Sequence, residues 1–323
     1  MILVTGATGF LGSELVRRLL LNGEKVRAMK RASSNIPEIL KNEGGLEWVD
    51  ADLLDYYSLE DAMQGIGQVY HCAALVSLSA KDKKQMMKVN VEGTRNLLDV
   101  CAANNVVKFL HVSSVSAVGN SKKGELITEK HHWEFSTRQS GYSISKYESE
   151  MEVFRAAAEG LNAVIINPGI IIGKNAGTEG SGQLFETIRK GLSFYPGGSF
   201  AYVDVEDVVT AMIALMESDI SDERYIITSE NKTYRELFTE IALQFGKKPP
   251  VIALKPWMLE SARLGAVIAS AFTGKNYGLS KDTVRTAFKK QNYSNEKIKK
   301  ALNLEFKSVK DSIAEVCSTY NKN

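Results

Sequence analysis

The chain of 323 residues is long enough for one large domain or two smaller ones, and its 44% hydrophobic and 24% charged residues are ordinary for a globular protein. A net charge of +2 offers no basic surface for nucleic acid, and no apolar run is long enough to span a membrane. The three cysteines are scattered, so we expect no disulfide framework, no metal site and a cytoplasmic location. Because the first residues already resemble a strand that leads into a glycine motif, we expect no signal peptide.

The chain begins with a short apolar strand that leads through a glycine-rich turn into a helix. Gly6, Gly9 and Gly12 follow one another at intervals of three residues. Gly6 permits the turn, Gly9 lets the backbone approach a pyrophosphate, and Gly12 lets the helix pack closely on the sheet. Because the start of a helix offers free N–H groups to phosphate, the pattern predicts a dinucleotide-binding turn. An ordinary turn in another α/β protein is the alternative.

Strands and helices then alternate along the chain. We predict further strands at 25–30, 46–49, 68–73, 108–113 and 163–166, and helices that begin at Ser58 and span 83–104 and 140–159. The strands are nearly continuous apolar runs, which is typical of a parallel sheet buried on both faces. We therefore predict an α/β fold, with a Rossmann doubly wound parallel sheet over residues 1–168.

The pattern changes after Pro168. Two glycine-rich stretches, at 173–182 and 191–199, separate predicted helices, and the part beyond Pro256 is mainly helical. We expect a smaller, mainly helical substrate-binding part over residues 169–323. No linker-like composition divides it from the first part, and we expect segments at about 200–230 to return to the sheet, so that the two parts are interleaved.

The residues after the second predicted strand bear on the choice of cofactor. An NAD site has an acidic side chain about 20 residues beyond the glycines, which binds the ribose 2′-hydroxyl. Lys30 and Arg31 occupy that position here, and two cations attract a 2′-phosphate. We therefore favour NADP(H) and leave NAD(H) open; solvated charges are the alternative. Asp52 and Leu53 are placed to contact the adenine, although Asp52 also suits a simple turn.

A tyrosine and a lysine four residues apart predict a catalytic pair. Tyr142 and Lys146 share one face of a predicted helix, where a nearby ammonium would lower the pKa of the phenol and favour proton transfer. Ser114 follows the fifth strand at the edge where ligands bind to parallel sheets, and its hydroxyl is suited to a substrate oxygen. Taken singly, a solvated pair and a strand-end serine are the alternatives.

These motifs together resemble the NAD-dependent epimerase/dehydratase family, also called the extended short-chain dehydrogenase/reductases. The matching segments are TGATGFLG at 5–12, DADL at 50–53, VYHCAA at 69–74, VNVEGTRNLL at 89–98, HVSSVSAVG at 111–119, YSISK at 142–146, INPGIIIG at 166–173 and YVDVEDVV at 202–209. The resemblance covers most of the chain and implies an enzyme that acts on a small molecule.

The resemblance also implies roles for individual residues. Ser114 would polarise the substrate oxygen, Tyr142 would transfer the proton, and Lys146 would lower the tyrosine pKa and hold the nicotinamide ribose. Asn90 matches an asparagine that the family keeps near the active site; a polar helix residue is the alternative. The remaining cofactor contacts would come from Thr8, Phe10 and Leu11 near the pyrophosphate and from the backbone of Ala73 and Ala74.

Two branches of the family compete. The segments VRAMKR, HCAA and YPGGS look most like the branch of dihydroflavonol reductases and 3β-hydroxysteroid dehydrogenases, which implies an NADP-dependent oxidoreductase. An NAD-dependent nucleotide-sugar epimerase is the alternative, since Asn167 precedes Pro168 as it often does in those enzymes. A nucleotide sensor without catalysis is a third. Against the epimerase, we see no convincing arginine clamp for a diphosphate; Arg189, Arg224 and Arg235 better suit a surface or strand edge.

Three further expectations concern the surroundings of the site. We expect the substrate pocket to be lined from 170–172, 183–186 and 195–202 and by the helix after Pro256. His71 and His111 lie in buried strands and are expected to be structural. The resemblance implies a homodimer formed through the helices at 83–104 and 140–159.

Overall fold

The computed structural model describes residues 1–41, 43–120, 125–136, 139–177, 180–273 and 280–320, and the side chains of all these except 266–273. The strands are β1 (Ile2–Thr5), β2 (Val26–Lys30), β3 (Leu46–Asp50), β4 (Gln68–His71), β5 (Lys108–Val112), β6 (Ala163–Pro168), β7 (Ile170–Ile172), β8 (Phe194–Tyr195), β9 (Ser199–Asp204), β10 (Glu223–Ile227), β11 (Glu230–Thr233) and β12 (Ile252–Ala253).

The helices flank these strands. They are α1 (Phe10–Leu21), α2 (Tyr56–Met63), α3 (Lys83–Met86), α4 (Gly93–Ala103), α5 (Gly141–Ala158), α6 (Ser181–Arg189), α7 (Val205–Glu217), α8 (Tyr234–Gln244), α9 (Pro256–Thr273), α10 (Lys281–Ala287), α11 (Glu296–Leu302) and α12 (Val309–Tyr320). Within the described ranges, none of them combines the length and apolar character needed to cross a bilayer.

Seven parallel strands form the main sheet, in the order β10-β6-β5-β4-β1-β2-β3. The order reverses direction between β1 and β4, which is the point where an open α/β sheet leaves a crevice for a ligand at its carboxyl edge. The predicted Rossmann fold is therefore confirmed. β10 joins the sheet beside β6 from a segment far along the chain.

Helices cover both faces of the sheet. Because neighbouring residues of a strand point to opposite faces, each strand contributes to two cores. Val4 and Leu110 belong to a core that contains residues of α1 and α7, whereas Leu3 and Phe109 belong to a second core that contains residues of α2, α4 and α5. This double burial explains why the strands read as continuous apolar runs. A third core lies in the C-terminal part, between the three-stranded sheet β11-β9-β7 and helices α6, α8 and α12.

The structure departs from the predicted elements in three places. Asp55, not Ser58, caps α2, because the Asp55 carboxylate accepts a hydrogen bond from the Ser58 N–H at 3.4 Å. The helix predicted over 83–104 is not uniform: Met87–Glu92 forms π-helical turns between α3 and α4. Strands β7, β9 and β11 were not predicted, and they are only three to six residues long.

Candidate active site

A cavity of about 380 Å³ lies at the crevice between β1 and β4. Of the predicted cofactor contacts, nine line it: Gly6, Thr8, Gly9, Lys30, Arg31, Asp52, Leu53, Ala73 and Ala74. Asp52 is also held in a turn, where its carboxylate accepts the Leu54 N–H at 2.9 Å.

The glycine turn fits a dinucleotide because its backbone has no room for side chains. Gly6 has a φ of +68°, which side chains rarely tolerate, and a Cβ there would lie 2.6 Å from the Ala73 nitrogen. A Cβ on Gly12 would lie 2.2 Å from the Gly6 carbonyl oxygen. The start of α1 is therefore drawn against the turn, and its first N–H groups lie at the crevice edge, where phosphate binds in such folds.

Three of the predicted cofactor-binding residues lie elsewhere: Phe10 and Leu11, expected near the pyrophosphate, and Gly12, expected to let the helix pack closely. Leu11 packs against the core beneath α1, and Gly12 is buried between helix and turn. The Phe10 ring lies 3.3 Å from the place where a Gly173 Cβ would be. None of the three is among the described residues that line the cavity, so the contacts of Phe10 and Leu11 with a pyrophosphate remain predictions.

The two cations after β2 have different surroundings. Lys30 is largely buried, and its ammonium lies 2.5 Å from the Asp50 carboxylate. Arg31 is exposed and lines the cavity together with Ser34, whose N–H donates to the Arg31 carbonyl at 2.8 Å. Sequence reasoning missed Ser34. Its position in a turn after the second strand, three residues beyond Arg31, could have indicated that its hydroxyl lies beside the arginine.

Ser114 and Tyr142 line a second cavity, of about 410 Å³. Ser114 follows the carboxyl end of β5, and Tyr142 lies in the first turn of α5, which Ser140 caps by accepting the Ser143 N–H at 3.1 Å. The Ser143 hydroxyl in turn donates to the Ser116 carbonyl. Burial raises the pKa of Tyr142, and the Ser114 hydroxyl, which hydrogen-bonds the phenol, opposes that rise.

Lys146 lies one turn beyond Tyr142 and is buried. Its ammonium donates to the Val112 carbonyl of β5 at 2.8 Å. Burial lowers the pKa of Lys146 to about 8, and the nearby Glu150 opposes the change. Burial is the largest influence on the pKa of Tyr142 and Ser114 opposes it, so the lowering of that pKa by Lys146 stays a prediction.

Asn90 lies within the π-helical turns and lines neither cavity. Its amide nitrogen donates to the Ser145 hydroxyl and the Leu75 carbonyl, each at 3.0 Å, and its oxygen accepts the Leu75 N–H at 2.7 Å. Asn90 thus ties the segment after β4, which borders the first cavity, to the helix that carries Tyr142 and Lys146. Helical periodicity alone gave no sign of the π-helical turns, which often occur at functional sites.

A buried carboxylate lies behind the predicted catalytic groups. Glu150 is fully buried one turn beyond Lys146, and it accepts hydrogen bonds from the Asn167 amide at 2.5 Å and from Arg224 at 3.3 Å. Asn167 also donates to the Ser114 carbonyl at 2.9 Å. Burial raises the pKa of Glu150, and Arg224 is one of the groups that oppose it. Arg224 does lie on the edge strand β10, as expected, but its side chain is only 17% exposed.

The histidines have structural surroundings. His71 contacts the Thr5 hydroxyl at 2.7 Å and the Thr94 hydroxyl at 2.9 Å, and burial lowers its pKa to about 3. His111 is equally buried and contacts Ser149. Across the described residues, no three histidine, cysteine or carboxylate side chains are grouped as metal ligands would be.

The lining of the second cavity differs in part from the expected substrate pocket. Ile170 and Phe200 do line it, but the segment 183–186 and the part of α9 whose side chains are described, residues 256–265, do not. Tyr234 and residues between Asp282 and Gln291 take their place. Lys289 reaches the cavity because backbone hydrogen bonds join the carbonyls of Ala287 and Lys289 to the N–H groups of Gly198 and Ser199. No side-chain pattern in the sequence indicates this attachment.

Comparisons with known proteins agree with this architecture. The model of the NAD dependent epimerase/dehydratase family matches residues 2–228. Sterol demethylase protein B of Methylococcus capsulatus is 35% identical over 268 residues, which are 81% of this chain and 80% of that protein. A putative dihydroflavonol 4-reductase of Synechocystis is 30% identical over 97% of this chain and 92% of its own length. The crystal structure of gox2253 superposes with a TM-score of 0.85 at 29% identity, covering 100% of this chain and 98% of that one.

Proposed function

Because the chain belongs to the NAD-dependent epimerase/dehydratase family, we propose that it is an NADP-dependent oxidoreductase that transfers a hydride between nicotinamide and a carbonyl or alcohol substrate. The observation that carries the proposal is that the hydroxyls of Ser114 and Tyr142 share one cavity at the carboxyl edge of the sheet. The relative named as a reductase, similar over nearly the whole chain, favours this chemistry.

The cofactor would lie in the first cavity. The backbone of Gly6 and Gly9 would hold the pyrophosphate with Thr8, while Asp52 and Leu53 would contact the adenine. Arg31, with Ser34 beside it, would bind the 2′-phosphate, and Lys30 is less suited to that role because Asp50 already neutralises it. Ala73 and Ala74 would border the nicotinamide end. When bound, the nicotinamide supplies or accepts the hydride.

The protein's own groups would handle the proton. In the direction of reduction, the Ser114 hydroxyl holds the substrate oxygen, and the Tyr142 phenol gives up its proton to that oxygen as negative charge develops. Lys146, fixed at the Val112 carbonyl, would keep a positive charge near the phenolate that remains and would bind the nicotinamide ribose. Asn90 acts through the helix it braces and does not touch the substrate cavity.

The first experiment measures affinity and turnover. NADPH is expected to bind more tightly than NADH and to be oxidised with some member of a panel of aldehydes and ketones. Arg31→Asp should weaken NADPH selectively, whereas Lys300→Asp, a change at an exposed lysine of α11, should weaken neither cofactor. Tyr142→Phe should abolish turnover and keep cofactor binding. Equal losses of NADPH and NADH in Arg31→Asp would contradict the 2′-phosphate contact.

A second candidate, the NAD-dependent nucleotide-sugar epimerase, rests on the Asn167-Pro168 pair. It predicts that the purified protein carries bound NAD and interconverts sugar nucleotides without net oxidation of NADPH. That result would overturn the oxidoreductase proposal.

We also propose that the chain is divided into a dinucleotide-binding part, 1–168 with returning segments at 200–230, and a substrate-binding part, 169–323. We further propose a homodimer through α4 and α5, which a measurement of molar mass in solution would test.

A further inference from the structure

We propose that the substrate carries an anionic group, a carboxylate or a phosphate, which Lys289 and Arg285 bind at the outer end of the substrate cavity. The proposal deepens the oxidoreductase function and rests on it. It names the kind of carbonyl compound that the site prefers: one with an apolar body between a carbonyl and a negative charge.

The substrate cavity opens into a second, more polar compartment. The compartment has a volume of about 520 Å³ and shares Asn120, Gln139, Arg285, Lys289 and Gln291 with the cavity that holds Ser114 and Tyr142. The two catalytic hydroxyls border only the inner cavity. A ligand whose carbonyl contacts Tyr142 can therefore extend past Arg285 and Lys289 into the outer compartment.

The charges along this path are unbalanced. Among the described residues, the outer compartment is lined by three cations, Arg285, Lys289 and Lys290, and by no carboxylate. The inner cavity adds one carboxylate, Asp282, at 3.5 Å from Arg285. Lys289 has no carboxylate partner within the described part of the chain. A bound anion would supply an opposite charge beside Lys289.

Lys289 is also partly withdrawn from water, unlike an ordinary surface lysine. Burial lowers its pKa, the neighbouring Arg285 acts in the same direction, and Asp282 opposes both. Keeping a cation in such surroundings costs free energy, and an anion bound beside it offsets part of that cost. Charge-assisted hydrogen bonds from lysine and arginine to carboxylate or phosphate are the strong class of hydrogen bond.

The segment that carries Lys289 is fixed to the sheet. The Ser199 N–H donates to the Lys289 carbonyl at 2.9 Å, and the Gly198 N–H donates to the Ala287 carbonyl at 3.0 Å. A Cβ on Gly198 would lie 2.5 Å from the Lys289 oxygen, so the glycine permits this close approach. The ammonium therefore extends from a backbone that is already positioned, which lowers the entropy lost when an anion binds.

The remaining lining suits the uncharged part of such a substrate. Val76, Val118 and Phe200 give the inner cavity an apolar wall. In the outer compartment, the Gln291 amide donates to Asn120 at 3.1 Å, which orders two polar side chains beside the cations. The pair of compartments thus matches an apolar carbonyl compound with a polar, charged end.

The test compares carbonyl compounds that differ only in charge: 4-carboxybenzaldehyde, 4-formylphenyl phosphate and methyl 4-formylbenzoate. With NADPH at low salt, kcat/KM for one or both anions should exceed that for the ester by about tenfold or more. Lys289→Met should bring this ratio close to one, Lys289→Arg should keep it, and the control Lys300→Met should not change it. The better of the two anions identifies the group as carboxylate or phosphate.

A binding measurement separates this inference from the proposed reaction. Calorimetry of the same probes is run with NADP⁺ present, so that no reduction occurs. If an anion binds in a Lys289-dependent way and NADPH is never oxidised, the anion site stands and the reductase proposal fails. If the ester is bound or reduced as well as both anions, or if Lys289→Met keeps the preference, the inference is overturned, whatever the enzyme reduces.

Discussion

Replacing Arg224 with methionine tests the buried network behind the proposed catalytic groups. The substitution removes the cation that faces the fully buried Glu150 carboxylate at 3.3 Å. It also removes the guanidinium hydrogen bonds to the carbonyls of Glu129, at 2.6 Å, and His131, at 3.3 Å. Breaking a buried pair from one side costs roughly 3–5 kcal/mol, and because Arg224 is partly exposed we expect a loss of about 3 kcal/mol in the free energy of unfolding at pH 8.

The stability loss of Arg224→Met should depend on pH, and the pKa of Glu150 gives the direction of that dependence. Burial raises the pKa of Glu150 in the folded protein, and removing Arg224 takes away a group that opposes the rise. When the pKa of a carboxyl group is higher in the folded than in the unfolded state, the folded protein loses stability as the pH rises through the folded pKa. The penalty of Arg224→Met relative to wild type should therefore be largest at pH 8 and smaller at pH 5, where more of Glu150 is neutral.

The assay is urea unfolding followed by tryptophan fluorescence at both pH values. Glu150→Gln in the same chain as Arg224→Met should recover part of the loss, since the uncompensated charge is gone. Arg189→Met, which breaks an exposed pair with Glu186, should leave stability unchanged within error. A penalty equal at both pH values, or a double variant no better than Arg224→Met, would refute the reasoning.

Three further substitutions probe the cofactor side. Gly12→Ala should abolish NADPH binding and cost about 1–3 kcal/mol of stability, because its Cβ meets the Gly6 oxygen at 2.2 Å, whereas Gly67→Ala, with nothing within 4 Å, should behave as wild type in the same titration and melt. Asn90→Leu leaves the Leu75 N–H and carbonyl without their partner, so NADPH affinity should fall and hydrogen exchange at Leu75 should accelerate; unchanged exchange would contradict the brace. Lys30→Met should change the NADPH/NADH affinity ratio less than Arg31→Met, because Asp50 already neutralises Lys30; the reverse order would assign the phosphate to Lys30.

The sequence was sufficient to predict the main sheet because most of its strands can be recognised from their own residues. Strands buried on both faces are continuous apolar runs, and a glycine turn marks the first crossover, so the fold could be predicted from one end of the chain. Strands β7 and β11 are three and four residues long, and β9, although it has six residues, follows a turn-rich stretch. Their position depends on pairing with one another, which no local pattern encodes.

Two kinds of pattern predicted parts of the candidate site: the four-residue spacing of Tyr142 and Lys146 on a helix, and residues that follow strands. Ser114 and the residues at Asp52 and Ala73 come directly after strands of the sheet, so their shared edge follows from topology. Lys289 could not be placed in this way, because backbone hydrogen bonds to β9 bring its segment to the cavity. The difference between Lys30 and Arg31 was also hidden, since it depends on Asp50 at the end of the neighbouring strand.

Strand β10 is synthesised well after its partner β6, and this delay has a consequence for folding during synthesis. During synthesis, the strands up to β6 emerge first, and the open edge of β6 has no partner until Glu223–Ile227 has left the ribosome. An unpaired edge is a surface on which nascent chains associate wrongly. Once β10 pairs, Arg224 joins the edge to Glu150 and to the carbonyls at 129 and 131. Completion of the sheet and formation of the support behind the proposed catalytic groups are therefore one late folding event, so a chain cut after Pro168 should yield neither.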